Sequence, residues 1–371
     1  MTNLFGRTYT RKEFRRHVGD ILQVGGVRPV EYADGSERGV RAAEFRTGSG
    51  LNFVVLLDRG MDISACEFDG QAMNWRAPCG DVGPAHFEPE GLRWLRTFCG
   101  GMVCTCGMTY AGAPCVDQSE ELGLHGRLTS IPARNSWVGG HWDGDEYIMA
   151  ATGEMRESVL FGENLLLKRR VWARLGESRF FIEDSVTNEG FRSSPLMFLY
   201  HVNAGFPLMD EGTELITAAE SVEPRDADAA EGMDAWHRFG PPTANYREQC
   251  FYHDFKTDSQ GEVLLAVANR NFGAGKGFGY YLRYDKKKLP FFTQWKMQGE
   301  GEYVQGTEPA NCRVQGRDWE RSQGTLEHIE PGETREFGLE LGALGSIDDI
   351  SAIEEEIAAL RQGEGRQERT R

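Results

Sequence analysis

The stretch ENLLLKRRVWARLGESRFFIEDSVTNEG, residues 163–190, carries the strongest indication of the fold. Its first half alternates between two faces, with Leu167, Arg169, Val171 and Ala173 on one and Lys168, Arg170, Trp172 and Arg174 on the other. A period of two is typical of a β-strand. A Gly-Glu-Ser turn at 176–178 follows, and Phe180, Ile182 and Ser185 begin a return strand. The stretch therefore predicts an antiparallel hairpin.

The rest of the chain repeats this pattern. GFGYYLRYDKKKLPFFTQWKMQG at 277–299 and TREFGLELGAL at 334–344 are rich in aromatic and branched residues, and the chain has 46 glycines. Turn signals recur about every ten positions, and no βαβ rhythm is present. The sequence therefore predicts an all-β fold of antiparallel sheets, a sandwich or a barrel, in a single domain over residues 1–345.

Helical patterns are confined to the two ends. Thr10 with Glu13 and Ser346 with Asp349 form capping-box patterns. The second precedes an amphipathic stripe of Ile350, Ile353, Ile357 and Leu360. We expect residues 346–371 to form a short helix outside the sheets and a polar tail, the last nine residues of which, GEGRQERTR, are frayed. The acidic stretch 223–236 predicts a long surface loop near the site.

The charge of the chain narrows the classes of partner. The 371 residues include 41 Lys and Arg against 57 Asp and Glu, and the net charge of −16 disfavours nucleic acid and anionic membranes. No window reaches the roughly 18 apolar residues of a membrane span, and the N-terminus lacks the apolar core of a signal peptide. We predict a cytoplasmic protein, and the sequence leaves open whether it forms a homodimer.

Eight cysteines raise the question of a metal site. Four of them, Cys99, Cys104, Cys106 and Cys115, lie in CGGMVCTCGMTYAGAPC. No C-x-x-C pair occurs there, and the next histidine is His125. We therefore predict reduced, buried thiols, with no metal and no other cofactor.

Four segments set a titratable residue beside glycine, proline or a strand end, where a side chain can stand at the mouth of a pocket. They are VVLLDRGMDIS at 54–64, GLHGRLTS at 123–130, LYHVNAGFP at 199–207 and QGTEPANC at 305–312. Each signal is weak when taken alone.

In their order, these segments resemble the aldose 1-epimerase (galactose mutarotase-like) superfamily. The resemblance lies in LHG at 124–126, in His201 before a turn, in Glu308-Pro309 and in the closing IEPGETREFGLELGAL at 329–344. Within that superfamily, LDRGMDI at 57–63, GLHGR at 123–127 and the segment 200–207 are similar to the DUF4432 branch. The resemblance spans roughly residues 20 to 345 and implies a β-sandwich of unusually large sheets, a supersandwich.

The resemblance also implies roles for three residues. His201 corresponds to the general acid that protonates the ring oxygen, and Glu308 to the carboxylate that takes the proton of the anomeric hydroxyl. His125 is implied to hold the sugar. On chemistry and position alone, we add Arg59, Arg127 and Asp210 as substrate-binding candidates.

Further binding candidates lie near these residues in sequence. Asn203, Gln305 and Trp236 offer the amides and the aromatic face that sugars bind, and Trp295 is equally explicable as core. Interconversion of α and β anomers needs one acid and one base, without metal or nucleotide. A histidine and a carboxylate suit these tasks, but His201 and Glu308 are 107 positions apart, so only the fold can bring them together.

Two other functions stay open. A different proton transfer on a sugar or sugar acid, such as isomerisation or elimination next to a carbonyl, could use the same acid and base. A non-catalytic carbohydrate-binding protein could use the same scaffold. The net charge favours a neutral small-molecule sugar, although Arg59, Arg76, Arg93, Arg96 and Arg127 would suit a phosphorylated one.

Overall fold

Two large antiparallel sheets dominate the chain. The computed structural model describes residues 1–362, so the tail predicted to fray, 363–371, lies outside the described residues. One sheet has 11 strands and the other has eight. The prediction of an all-β sandwich of large antiparallel sheets is confirmed.

The strands are numbered in chain order. They are β1 (Thr2–Leu4), β2 (Arg7–Tyr9), β3 (Gly26–Glu31), β4 (Arg41–Arg46), β5 (Leu51–Leu56), β6 (Asp62–Phe68), β7 (Gln71–Ala72), β8 (Trp75–Arg76), β9 (Gly100–Gly101), β10 (Val103–Met108), β11 (Cys115–Asp117), β12 (Glu120–Leu122), β13 (Arg134–Asp143), β14 (Glu146–Ser158), β15 (Asn164–Arg174), β16 (Arg179–Asn188), β17 (Ser194–Pro195), β18 (Met197–Ala204), β19 (Glu214–Thr217), β20 (Ala219–Pro224), β21 (Gln249–Phe255), β22 (Glu262–Asn269), β23 (Phe278–Asp285), β24 (Phe291–Gly299), β25 (Glu302–Ala310), β26 (His328–Ile329) and β27 (Thr334–Leu344). The larger sheet has the order β20-β21-β24-β25-β18-β10-β6-β5-β4-β3, with β7 paired to β6. The smaller sheet has the order β13-β14-β15-β16-β27-β23-β22-β19.

The hairpin predicted at 163–190 is formed by β15 and β16. These strands pair antiparallel, from Leu165 opposite Asn188 to Trp172 opposite Phe181. Alternate residues of β16 are buried, namely Phe180, Ile182, Asp184, Val186 and Asn188. Phe180, Ile182 and Ser185 all lie in the predicted return strand, and Ser185 is on the other face because it is an odd number of residues from both of the others.

Arg169 of this hairpin crosses the core between the sheets. Its guanidinium donates to both carboxylate oxygens of Asp184, at 2.8 and 2.7 Å. It also reaches the larger sheet, at 2.9 Å from Oγ1 of Thr105 and 3.2 Å from Oδ1 of Asp62. The Tyr200 hydroxyl donates to Asp184 at 2.6 Å. A buried polar network therefore ties the two sheets together.

Five α-helices are described: α1 (Arg11–Arg15), α2 (Ala227–Glu231), α3 (Phe272–Gly275), α4 (Arg317–Gln323) and α5 (Ile347–Gln362). Both predicted caps are present, since Thr10 and Glu13 bond reciprocally and the Asp349 amide donates to Oγ of Ser346 at 3.1 Å. The predicted stripe of α5 packs on the outer face of the smaller sheet. None of the helices within residues 1–362 is long and apolar enough to cross a membrane.

The internal helices depart from the expectation that helices are confined to the ends. The acidic stretch 223–236, expected as a long loop, holds the end of β20 and then α2. Its acidic residues explain the difference, because Oδ1 of Asp226 accepts from the Ala229 amide at 2.9 Å and so caps α2.

The alternation along β18 separates two environments. Phe198 and Tyr200 face the core between the sheets. Leu199 faces the outer side of the larger sheet, and His201, two residues further along, shares that side. The segments 75–102 and 109–125, which flank β10, pack over this outer side and bury it. A titratable residue at this position is therefore enclosed without belonging to the main core.

Candidate active site

A row of side chains crosses five neighbouring strands on the outer side of the larger sheet. The register pairs Tyr252 with Thr293, and Thr293 with Glu308. The pairing of β18 with β25 places His201 opposite Glu308, and Cys104 lies opposite His201 on the far side. Directly opposed residues have Cβ atoms about 4.5–5.5 Å apart. Residues distant in sequence thus become neighbours by register alone.

His201 and Glu308 face each other within this row. Nε2 of His201 lies 3.3 Å from Oε1 of Glu308. Only 5% of His201 and 1% of Glu308 is exposed. Within residues 1–362, Nδ1 of His201 and Oε1 of Glu308 make no hydrogen bond. Buried polar groups are nearly always satisfied, so this unused capacity makes the pair a candidate for the functional site.

The same region holds other buried polar atoms that lack a hydrogen-bond partner among the described residues. They are Nδ1 of His125, Oδ1 of Asn203, the Tyr252 hydroxyl and Oγ1 of Thr293. A ligand that carries several hydroxyl groups offers donors and acceptors to such atoms. Their concentration around His201 and Glu308 therefore fits a small polar ligand.

His125 reaches the pair from the covering segment. Its ring centroid lies 5.7 Å from that of His201 and 4.9 Å from that of Trp94. The turn is tight: His125 has a left-handed φ of 58°, and a Cβ on Gly126 would lie 2.4 Å from the Gly107 carbonyl oxygen. The His-Gly dipeptide allows this conformation, which aims the imidazole at His201.

Aromatic side chains enclose His201. The ring centroids of Trp295 and Phe98 each lie 5.4 Å from the His201 ring. Trp75 meets Trp295 edge to face at 6.4 Å. Nε1 of Trp295 donates to Oε2 of Glu248 at 2.9 Å, which fixes the plane of the indole. Trp295 is therefore a wall of the site and not part of the core between the sheets.

Burial determines the protonation of the three titratable groups. It lowers the pKa of His201 to about 4, and the nearby Asn203 side chain acts in the opposite direction. Burial, with a smaller effect of neighbouring His201, lowers the pKa of His125 to about 3. Burial raises the pKa of Glu308 well above its ordinary value, and the charge of Glu248 acts in the same direction. Burial thus disfavours the charged form of each of the three groups.

Asn203 belongs to this site. It lies two residues after His201 on the same face of β18. Its Nδ2 donates to the His201 carbonyl at 2.9 Å and to the Gly101 carbonyl at 3.2 Å. These bonds fix the orientation of Oδ1 of Asn203, which has no hydrogen-bond partner among the described residues.

Gln305 and Trp236, predicted to bind substrate, lie on the opposite face of the sheet from His201. Gln305 is three residues from Glu308, so it faces the core side of β25. There Nε2 of Gln294 donates to Oε1 of Gln305 at 3.2 Å and to the Trp236 carbonyl at 2.7 Å. The Trp236 ring packs on His253 at 5.0 Å. Proximity in sequence suggested these two residues, and strand alternation directs them away from the pair.

Arg59 is a structural anchor in its observed contacts. Its guanidinium donates to the carbonyls of Thr129 at 2.8 Å, Val82 at 2.5 Å and Thr97 at 2.8 Å. Only 1% of Arg59 is exposed. Its contacts hold two parts of the covering segment 75–102 to the helical turn Leu128–Ser130.

The side chains of Arg127 and Asp210, the other two candidates chosen by chemistry and position, contact residues other than the His201–Glu308 pair. The guanidinium of Arg127 lies 5.8 Å from the Tyr110 ring centroid and 3.9 Å from Oε1 of Glu163. Asp210 is exposed in the turn after β18, where its Oδ1 accepts from the Glu211 amide at 2.8 Å. The described contacts of Arg127 and Asp210 include neither His201 nor Glu308.

Sequence reasoning missed several residues of the site. Trp94 and Phe98 lie in a covering segment whose path no local pattern reveals. Thr293 could have been found, because it is two residues before Trp295 and so shares its face. Tyr252 is recognisable only from the register of β21 with β24.

The cysteines are all free thiols. Cys104 and Cys106 are buried on the outer side of the larger sheet, beneath the covering segment. Among residues 1–362, no group of three or more His, Cys, Asp or Glu side chains is arranged to hold a metal ion.

Comparison with known proteins identifies the fold. The family described as "Domain of unknown function (DUF4432)" matches residues 37–343. A crystal structure of a proposed aldose 1-epimerase from Klebsiella pneumoniae is 26% identical, with a TM-score of 0.85, and the match covers 90% of this chain and 87% of that one. No curated protein matches the sequence.

Two more distant structures share the fold. A galactose mutarotase-like protein from Clostridium acetobutylicum is 10% identical with a TM-score of 0.56, over 87% of this chain and 99% of that one. A galactose 1-epimerase from Lactobacillus acidophilus is 14% identical with a TM-score of 0.55, over 86% and 99%. The two-sheet sandwich is therefore galactose mutarotase-like, as the resemblance implied.

Proposed function

Since the chain belongs to the DUF4432 family, we propose that its His201–Glu308 pair interconverts the α and β anomers of a sugar. The observation that carries this proposal is the 3.3 Å approach of Nε2 of His201 to Oε1 of Glu308 on an enclosed face. The description of the Klebsiella pneumoniae protein as a proposed aldose 1-epimerase supports the same reaction.

The spacing of the pair suits a hemiacetal. The two oxygens that exchange protons in mutarotation, the anomeric hydroxyl and the ring oxygen, are bonded to one carbon. An acid and a base that act on them must therefore stand side by side, within hydrogen-bond reach of neighbouring atoms. Opposed residues on adjacent strands, such as His201 and Glu308, provide this spacing.

One proton shared by the pair is enough for the reaction. When it lies on Nε2 of His201, the imidazolium gives it to the ring oxygen while the Glu308 carboxylate takes the proton of the anomeric hydroxyl. The bond between C1 and the ring oxygen breaks, and C1 becomes an aldehyde carbon. After rotation about the C1–C2 bond, the same transfers run in reverse and the ring closes on the other carbonyl face. Nothing is consumed, and each group recovers its starting state.

The neighbours of the pair are suited to hold a sugar. Nδ1 of His125 and Oδ1 of Asn203 have hydrogen-bonding capacity that the described chain does not use. The Trp295 ring, 5.4 Å from His201, offers a flat apolar face of the kind on which a pyranose packs. Because His201 and Glu308 are buried, we assign the entry of the sugar to the partly exposed Trp75–Trp295 contact.

The proposal is tested by NMR magnetisation exchange between the anomers of a panel of aldoses. Wild type should accelerate exchange for at least one sugar. His201→Asn and Glu308→Gln should each reduce the acceleration by about 10²–10⁴-fold, because each removes one proton-transfer group. His253→Asn is the matched control, since His253 is a buried histidine on the other face of the same sheet.

Two results would count against the proposal. One is that folded wild-type protein accelerates exchange of no sugar in the panel. The other is that His201→Asn and Glu308→Gln exchange anomers as fast as wild type, which would place the chemistry elsewhere.

A further inference from the structure

Arg313 stands at the end of the polar row opposite to His201. It follows β25, and its amide donates to Oε1 of Glu320 at 2.7 Å, which fixes the turn. Its guanidinium carbon lies 4.4 Å from the ring centroid of Phe291, 5.6 Å from that of Trp319 and 5.8 Å from that of Tyr252. An aromatic cage of this kind holds the plane of a guanidinium and leaves its edge available for hydrogen bonds.

The guanidinium of Arg313 has no acid partner in the described part of the chain. Within residues 1–362, no carboxylate oxygen lies within 4.0 Å of it. The five arginines that the sequence suggested for a phosphate all have partners within the protein. Arg59 donates to backbone carbonyls. The other four form ion pairs: Arg76 with Asp81 at 3.1 Å, Arg93 and Arg96 with Glu88 at 3.2 and 3.7 Å, and Arg127 with Glu163 at 3.9 Å. A caged arginine without a counter-ion, beside a candidate active site, is suited to an external anion.

Tyr252 connects Arg313 to the catalytic pair. Its hydroxyl is buried without a hydrogen-bond partner among the described residues. Its ring is one of the three around Arg313, and the register places it in the same row as Glu308, two strands away. The Thr293 hydroxyl, also unpartnered, stands between Tyr252 and Glu308 in the register.

The distance along the row matches one sugar. Tyr252 lies two strands from Glu308, which separates their Cα atoms by about 10 Å. A pyranose with its anomeric carbon at the His201–Glu308 pair extends a distal substituent over about this span. That substituent would meet the Tyr252 hydroxyl and the guanidinium of Arg313.

We propose that Arg313 and the Tyr252 hydroxyl form a subsite for an oxyanion on the substrate, so that the enzyme acts on an acidic sugar. This inference rests on the proposed function of the His201–Glu308 pair. The shared chemistry is a planar or tetrahedral oxyanion, a carboxylate or a phosphate ester, that accepts two hydrogen bonds from the guanidinium. Because the net charge of −16 repels anions at long range, recognition depends on these local donors.

The test is calorimetric binding of three probes that share one sugar: galactose, galacturonate and galactose 6-phosphate. The same series based on glucose and mannose extends the panel. The expected result is that wild type binds one anionic member at least about tenfold more tightly than its neutral parent. Arg313→Gln should abolish this preference and leave neutral-sugar binding unchanged. Tyr252→Phe should reduce it by a smaller factor.

Two further variants make the test specific. Arg313→Lys keeps the positive charge but loses the bidentate donor geometry of the guanidinium, so its affinity for the anion should lie between those of wild type and Arg313→Gln. The lysine variant replaces the glutamine variant in the test if the latter does not fold. Arg192→Gln removes an exposed arginine that donates to the Phe161 carbonyl at 3.3 Å, and this variant should bind as wild type does.

The anion subsite and the epimerase function can be disproved separately, because binding tests the first and anomer exchange tests the second. If no anionic sugar binds more tightly than its neutral parent, or if Arg313→Gln and Arg313→Lys bind anions as wild type does, the subsite is wrong even when exchange is accelerated. If an anionic sugar binds through Arg313 but no anomer exchange is accelerated, the subsite stands and the epimerase function is wrong. A preference for the carboxylate or for the phosphate identifies which oxyanion the subsite takes.

Discussion

A Cβ atom on Gly306 would lie 2.6 Å from Oε1 of Glu308. It would also lie 2.9 Å from Cβ of Trp295, directly across the strand pair. Gly306 is two residues before Glu308 on the same face of β25, so its missing side chain leaves room for the carboxyl group and the indole. The position of the candidate base thus depends on a neighbour with no functional group.

Gly306→Ala should therefore impair anomer exchange. The new methyl group displaces the Glu308 carboxyl from His201, and we expect at least about a tenfold loss of exchange rate with about 1–3 kcal/mol lost from the free energy of unfolding. NMR exchange and urea denaturation measure the two effects. Gly19→Ala is the control, because a Cβ there meets nothing within 4 Å. Full activity in a folded Gly306→Ala protein would show that the approach of Glu308 to His201 does not set the rate.

Buried histidines should make the fold sensitive to acid. Burial lowers the pKa of His253 to about 4, from an ordinary value of 6.5. Between these values the unfolded chain binds a proton that the folded chain does not, so the free energy of unfolding falls as pH falls. The contribution of neutral His253 to the free energy of unfolding is complete above pH 6.5 and is lost by about pH 4, a change of about 3 kcal/mol.

His253→Asn isolates this effect, because raised carboxyl pKa values, such as that of Glu308, act on stability in the opposite sense. Urea denaturation of wild type and His253→Asn should be compared at several pH values from 7.5 to 4.5. The stability difference between the two proteins should narrow or reverse as pH falls. Parallel pH profiles would mean that His253 titrates normally in the folded chain.

Sequence reasoning succeeded where the signal was local. The alternation at 163–190, the caps at Thr10 and Ser346 and the His-Gly turn at 125–126 each depend on residues a few positions apart, and all are present. The pairing of His201 with Glu308 was implied by a resemblance and not by spacing. No local pattern could have given it, because strand register is fixed by side-chain packing across the sheet.

Sequence reasoning failed where the face of a strand mattered. Gln305 is closer in sequence to Glu308 than Thr293 is, yet Thr293 shares the face of Glu308 and Gln305 does not. Arg59 has the chemistry of a binding residue, but three backbone carbonyls use its donors. Counting positions in steps of two separates Gln305 from the face of the pair, and only the packing of the covering segments shows which carbonyls Arg59 contacts.

The buried network of Arg169 should dominate the stability of the sandwich. Arg169→Met leaves Asp184 and Asp62 buried without their cation, and we expect a loss of about 3–5 kcal/mol in the free energy of unfolding. The neighbouring Arg170 pairs with Glu183 at 3.1 Å on the exposed face, so Arg170→Met should cost less than about 1 kcal/mol. Denaturant unfolding of both variants makes the comparison. Equal losses would contradict a special role for the network between the sheets.

Arg59→Lys should separate an anchoring role from a binding role. A lysine ammonium cannot reach the carbonyls of Thr129, Val82 and Thr97 in the same fork geometry, so buried acceptors lose their donors. We expect about 1–3 kcal/mol of destabilisation for each acceptor left unsatisfied. We also expect faster proteolysis of the covering segment 75–102 and an unchanged sugar affinity in the fraction of the protein that stays folded. Limited proteolysis and calorimetric sugar binding measure these effects. If sugar affinity fell while stability and proteolysis were unchanged, Arg59 would be a substrate-binding residue after all, because a ligand and not the covering segments would then use its guanidinium.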